Sequence, residues 1–174
     1  MDGGSTMKKI IKFLCIFLLA FSFTGCGKPK DYEEVVVTMD EVHDMMEHQK
    51  DFFLLVERKN CPFCEKIHEY IDKTKQEHPG IKVYVLDTSD FKFSKKKDEE
   101  VLSSKTKEGK LFLKSFPYFM YTPTIYKIQE GDAVEAGVGF DEATKQVKIW
   151  DVDSVADFDK AYSRYVWLYL EEDE

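Results

Sequence analysis

Apolar positions recur along this 174-residue chain in three patterns, and each predicts a different kind of element. The first is a run from Phe13 to Phe23, interrupted only by Ser22 and preceded by Lys8, Lys9 and Lys12. A cationic start followed by an apolar stretch too short to span a bilayer comfortably is the pattern of a secretion signal. The second is the short block rich in β-branched and aromatic residues: Val35-Val36-Val37, Phe52 to Val56, Ile81 to Leu86 and Thr122 to Ile128. These predict strands, and Phe52-Phe53-Leu54-Leu55-Val56, which has no polar residue at alternate positions, predicts one buried on both faces. The third is helical spacing. Thr38 with Glu41 three residues on makes a capping box for a helix through about Lys50, with Met39, Val42, Met45 and Met46 as its apolar face. Ile67 and Ile71, four apart, predict a second helix from Pro62 to the stop at His78-Pro79-Gly80. Val155, Phe158, Tyr162, Tyr165, Val166 and Tyr169 predict an amphipathic helix that opens at Ser154 and covers the sheet.

Residues 52–86 therefore read as strand, helix, strand, a unit whose strands are expected to be parallel with a right-handed crossover. This is α/β architecture. Residues 87–114 carry dense charge, Lys95 to Glu100 and Ser103 to Gly109 among it, and predict a helical excursion of uncertain extent. Gly131-Asp132 separates the Thr122–Ile128 strand from Ala133 to Ala136 and predicts a hairpin, extended or flanked by Val147 to Trp150.

The leader changes what the rest must do. The apolar run closes on Phe23-Thr24-Gly25-Cys26 and passes abruptly into Gly27-Lys28-Pro29-Lys30-Asp31. This ending resembles the lipobox of bacterial lipoproteins, which implies cleavage before Cys26 and a diacylglycerol on its sulfur. Two acyl chains hold a protein at a membrane stably where one does not. The expected division is 1–25 as signal peptide, with 1–6 an upstream start or tag, 26–32 as lipidated tether and 33–174 as one folded domain. Removing Lys8, Lys9, Lys12 and Asp2 leaves 22 Lys+Arg against 32 Asp+Glu, a net of −10, which argues against nucleic acid as a partner. With Cys15 in the leader and Cys26 acylated, the domain keeps Cys61 and Cys64. One close pair does not staple a domain, so the core must hold it together unaided.

Cys61-Pro62-Phe63-Cys64 stands where the Phe52–Val56 strand gives way to a helix. Proline suits the first helical position because its missing N–H has no intrahelical partner there. Cys61 then lies at the positive end of the helix dipole, which favours thiolate over thiol. Cys64, one turn deeper on the same side, is within reach, so Cys61 is the expected nucleophile, facing an incoming protein, and Cys64 the resolving thiol. A structural zinc site wants four ligands and no second Cys pair exists, so the expectation is no metal and no diffusible cofactor. A non-catalytic accessory or binding module with a static disulfide is the alternative from a different class.

Three features together resemble the thioredoxin superfamily: the apolar strand running into Cys-Pro-Phe-Cys, similar to the Cys-Pro-aromatic-Cys of glutaredoxins; Thr122-Pro123-Thr124 before a strand; and the hairpin ending in Gly137-Val138-Gly139, similar to the glycine after the family's final strand. The resemblance implies a thioredoxin-like fold, a central mixed β-sheet flanked by helices with the C-terminal amphipathic helix against it. It also implies a cis Thr122–Pro123 bond lying against the Cys pair, with Thr122 and Pro123 docking an extended substrate chain. Where thioredoxins carry a buried aspartate assisting proton transfer, this chain has Leu55; Glu57, four residues before Cys61, is the nearest acid and the candidate substitute. The implied activity is thiol–disulfide exchange on exported proteins, with a redox partner dithiol supplying or removing electrons. Among small lipoproteins the chain resembles bacteriocin-transport accessory proteins, which sit beside export machinery.

Overall fold

The computed structural model describes residues 31–97, 99–154 and 160–171. The leader with Cys26, and Val155 and Phe158 of the expected C-terminal helix, lie outside the described residues. The chain opens with β1 (Glu33–Val36) and α1 (Met39–Glu47), and the capping box forms as expected: the Thr38 hydroxyl accepts the Glu41 N–H at 3.3 Å while Glu41 accepts the Thr38 N–H at 2.7 Å. Next come β2 (Phe52–Glu57), α2 (Pro62–Thr74) running into a 3₁₀ turn at Lys75–Glu77, and β3 (Lys82–Asp87). Strands β2 and β3 are parallel neighbours, with Leu54 opposite Tyr84 and Glu57 opposite Asp87. After them run β4 (Phe93–Ser94), β5 (Ser103–Ser104), α3 (Lys107–Ser115), β6 (Thr124–Gln129), β7 (Asp132–Asp141), β8 (Gln146–Trp150), β9 (Ser163–Tyr165) and α4 (Val166–Glu171).

One sheet has the order β1-β3-β2-β6-β7-β8-β9, with β1, β3 and β2 mutually parallel and β6 to β9 antiparallel. A βαβ unit followed by an antiparallel hairpin beside its first strand, with helices on both faces, is the thioredoxin-like arrangement that the resemblance implies. Period-two alternation along β2 explains its lack of polar residues. Phe52, Leu54 and Val56 enter the core beneath α1 and α3, whereas Phe53 and Leu55 enter the one beneath α2 and α4. Leu54, Leu55 and Val56 are all fully buried.

Two expectations need correction. The excursion at 87–114 is helical only over Lys107–Ser115; before it, β4 and β5 pair as a separate two-stranded sheet. The C-terminal segment is not one helix from Ser154. Ser163–Tyr165 adds a strand to β8, and the helix starts only at Val166. Tyr162 and Tyr165, assigned to its buried face by spacing, are 57% and 56% exposed. An open backbone edge on β8 has outcompeted the helical periodicity there, since pairing satisfies a row of peptide groups that water would otherwise have to solvate.

The short α4 is nevertheless well anchored. Its buried Tyr169 hydroxyl donates to the carbonyls of Ile125 and Glu135 at 3.0 and 3.2 Å. Trp167 Nε1 donates to Thr74 at 2.8 Å, and His78 stacks on the Trp167 ring at 4.1 Å. Gly137 makes the approach possible: a Cβ there would stand 2.8 Å from a Val147 methyl and 3.2 Å from the Tyr169 ring. The Gly137-Val138-Gly139 stretch thus lies inside β7, which continues to Asp141, rather than after a final strand.

Candidate active site

Strand β2 delivers the chain to Glu57, and Asn60, in the left-handed region at φ 55°, turns it into α2. Cys61 is the N-cap of α2 with extended backbone (φ −105°, ψ 105°), and Pro62 takes the first helical position as expected. The Cys61 sulfur accepts the Cys64 N–H at 3.2 Å, so one of the three orphan amides that remain beside Pro62 at the start of the helix is satisfied by a sulfur. Cys61 and Cys64 are joined as a disulfide with Cα atoms 5.2 Å apart.

The loop after α3 meets this pair from β6. Thr122–Pro123 is cis, as the resemblance implies, and the Cys61 sulfur lies 3.6 Å from the Thr122 carbonyl while the Thr122 hydroxyl donates to it at 3.5 Å. The loop is held on both sides: Pro123 accepts the Gly139 N–H at 2.8 Å, and the Thr124 hydroxyl donates to the Tyr121 carbonyl at 2.7 Å. Sequence positions 61 and 122 are thereby brought into contact.

Exposure does not distinguish the two cysteines. Cys61 is 2% exposed and Cys64 3%, so the expectation that Cys61 alone faces an incoming protein is corrected: Thr122 and the first turn of α2 cover its sulfur nearly as fully. What separates them is electrostatic position, because Cys61 sits at the amide-rich end of α2 and Cys64 one turn in. Both border an open cleft of about 550 Å³ that Glu57, Asn60, His68 and Asp87 also line. On the other side of the Thr122 loop lies a mostly apolar groove of about 440 Å³, lined by Phe63, Tyr121, Thr122, Val138 and Phe140. Phe63 is 60% exposed at its rim.

Leu55 is fully buried, and Glu57, two residues further along β2, points to the same face of the sheet, the one α2 covers. Its carboxylate meets a partner on that helix: Glu57 Oε2 is 2.5 Å from His68 Nε2. The other ring nitrogen, Nδ1, is 3.7 Å from Glu34 Oε1 of β1, and Glu34 in turn accepts the Tyr32 hydroxyl at 2.8 Å. The carboxylates of Glu34 and then Glu57 keep the ring protonated against the opposing effect of burial, and push its pKa up from 6.5 to about 10. Reciprocally, the contact with His68 lowers the Glu34 carboxyl against its burial, with Tyr32 assisting. Since the folded pKa of His68 is raised, its contribution to stability is complete below pH 6.5 and lost as pH rises through about 10.

The sequence offers Glu57 as the nearest acid but does not point to His68 as its partner. The available signal was spacing: His68 is one turn past Cys64 on α2, and a helical side chain leans back over the preceding turn. Lys59, which also lines the cleft, has its ammonium 3.6 Å from Asp87, while its N–H donates to Ser89 at 2.7 Å. Among the described residues no group of three or more His, Cys, Asp or Glu side chains could hold a metal ion, and no helix is long and apolar enough to cross a membrane.

No protein family matches this chain, and no curated protein does. Solved structures similar to it include a thioredoxin of Malassezia sympodialis, 14% identical over 69% of this chain and 91% of the other, with a TM-score of 0.42. Thioredoxin f2 of Chlamydomonas reinhardtii is 16% identical over 60% and 82%, TM-score 0.41, and oxidised thioredoxin O2 of Arabidopsis thaliana is 17% identical over 64% and 86%, TM-score 0.41.

Proposed function

We propose that this chain is an extracytoplasmic thiol–disulfide oxidoreductase that acts on exported proteins through Cys61 and Cys64, held at the membrane by a lipid on Cys26. The observation that carries the reading is a disulfide whose first sulfur caps a helix and touches the Thr122 backbone of a cis-proline loop. In the oxidising direction a substrate thiolate attacks Cys61; the Cys61–Cys64 bond breaks, a mixed disulfide forms, and Cys64 leaves as thiolate. A second substrate thiolate then attacks the substrate sulfur of that bond and expels Cys61 as thiolate. Two electrons have passed to the pair, and a partner disulfide must take them up. The reducing direction is the same sequence reversed. Thr122 and Pro123 would align the incoming chain by backbone pairing, and the groove at Phe63 and Tyr121 would receive its flanking side chain.

Titrating the pair against glutathione, with thiol alkylation as readout, tests activity and direction together. An active pair is expected to equilibrate; a potential near about −120 mV would mark an oxidant and one near about −270 mV a reductant. A static bridge, the reading favoured by the near-complete burial of both cysteines, would stay oxidised in mild dithiol. For the anchor, Cys26→Ser is expected to move the protein from the membrane pellet to the soluble fraction and to end incorporation of labelled fatty acid. Continued labelling would remove the lipid from the reading. A position beside export machinery, as the lipoprotein resemblance implies, belongs to this proposal as its narrowest part.

A further inference from the structure

A further cleft of about 670 Å³, larger than either opening at the Cys pair, lies on the face of the sheet beneath α1 and α3. The helix that carries the cysteines packs on the other face. Strand register makes the floor of this cleft: Tyr126 on β6 stands opposite Ala136 on β7, and Ala136 opposite Trp150 on β8. A methyl group between two rings on strands about 10 Å apart leaves a trough roughly one side chain wide. Tyr126 is 4% exposed and its ring lies 4.4 Å from that of Phe116, yet among the described residues its hydroxyl has no hydrogen-bond partner. Burial alone acts on that hydroxyl, and raises its pKa. No fully buried side-chain oxygen or nitrogen among the described residues lacks a partner, so this hydroxyl keeps a little open surface, and the cleft it lines is where it opens. The mouth is acidic: Glu47, Asp132, Asp151 and Asp153 line it against Lys114. Glu47 lies 3.3 Å from His43, and the Asp153 N–H and Ser154 hydroxyl, each at 2.8 Å, hold the Asp151 carboxyl below its usual range.

We propose that this cleft binds a short cationic segment of another protein, an apolar side chain flanked by lysine or arginine, with a backbone carbonyl of that segment accepting from the Tyr126 hydroxyl. The apolar side chain enters the trough over Ala136, between Tyr126 and Trp150. The carbonyl satisfies a donor that nothing inside the protein serves, which rewards a ligand carrying an acceptor over one that does not. The flanking cations meet the carboxylates of α1, of the β6–β7 hairpin and of the stretch after β8, which lie on different sides of the mouth. One cation can also lie over an aromatic ring of the floor. Only a ligand with an apolar group, an acceptor and more than one positive charge answers all three features. A polyamine has no carbonyl, a fatty chain has no cations, and a nucleic acid or an acidic peptide meets repulsion at the mouth. Cys61, Cys64, Thr122 and Pro123 do not line the cleft, so the proposal stands apart from the redox reading.

The probe is a five-residue peptide alternating lysine and leucine, with lysine at both ends, a fluorescent label at its N-terminus and an amide at its C-terminus. Anisotropy with the full chain is compared for this peptide, a counterpart with glutamate for lysine, and one with serine for leucine. The cationic apolar peptide is expected to bind at least tenfold tighter than either counterpart, and to weaken as salt rises from about 50 to 500 mM. Tyr126→Phe is expected to weaken it about fivefold with the salt dependence unchanged. Asp132→Asn combined with Asp153→Asn, both at exposed positions, is expected to weaken it about tenfold and to flatten the salt dependence. In the free protein Tyr126→Phe is expected to leave Tm within about 2 °C of the parent, because no internal hydrogen bond is lost; a larger fall would reveal an internal partner and overturn the proposal. Equal binding of the acidic peptide would overturn it too. So would a cationic peptide whose affinity neither substitution changes, since that peptide would sit elsewhere, as in the Phe63 groove. Cys61→Ser with Cys64→Ser is expected to leave binding unchanged, so failure of the exchange reading and failure of this site are separately visible.

Discussion

Cys61→Ser is expected to abolish thiol–disulfide exchange, by about 10³-fold or more, because it removes the sulfur at the amide-rich end of α2, the one assigned to form the mixed disulfide, and leaves Cys64 one turn further in. Cys64→Ser is expected to behave differently. It still attacks, but nothing resolves the product, so a covalent adduct through Cys61 accumulates and is visible as added mass that dithiol removes. The asymmetry is the informative part. A purely structural bridge would lose a similar amount of stability from either substitution and trap nothing with either. Trapping by Cys61→Ser instead would reverse the assigned roles, and with them the argument from the helix N-terminus.

Phe112→Ala is expected to cost about 3–5 kcal/mol and to lower Tm by about 10 °C, read by calorimetry or circular dichroism. The Phe112 side chain is fully buried on α3, with ring centroids 4.8 Å from Phe116, 4.9 Å from Phe119, 5.5 Å from Phe93 and 5.9 Å from Phe91. Truncation removes the ring that joins α3, the β4–β5 sheet and the 116–120 loop, so neighbours from three segments would have to collapse on the gap. Since that loop leads directly into Tyr121, Thr122 and Pro123, a secondary loss of exchange activity is expected. A Tm change below about 3 °C would mean that the aromatic cluster repacks and does not bear on the fold's stability.

The sequence was most legible where local chemistry and tertiary demand coincide. Thr38 and Glu41 cap α1 whatever packs on it, and Phe52 to Val56 can satisfy so many apolar side chains only between two layers. Pro62 at the first turn fixes where α2 begins and so where Cys61 must stand. Legibility failed where one demand overrode the other. Ser103-Ser104 pairs with Phe93-Ser94 through two residues a side, too few for any periodicity, and the reason for their pairing lies in a ring, Phe93, that packs on distant Phe112 and Phe119. Tyr162 and Tyr165 kept helical spacing yet served a sheet edge. In the candidate site, Cys61, Cys64, Thr122 and Pro123 were readable as motifs, and Glu57 as the nearest acid. The Glu34–His68 half was not, because its members are 34 positions apart and only the crossover of β1, β2 and α2 brings them together.

The two ends of the large sheet have a consequence of their own. On one side it stops at β1, four residues including Glu33 and Glu34, and on the other at β9, three residues centred on Arg164. Short, charge-bearing borders are poor templates for another chain's backbone, so stacking of copies side by side is disfavoured. Copies brought to high local density would thereby avoid nucleating fibrous aggregates along either border.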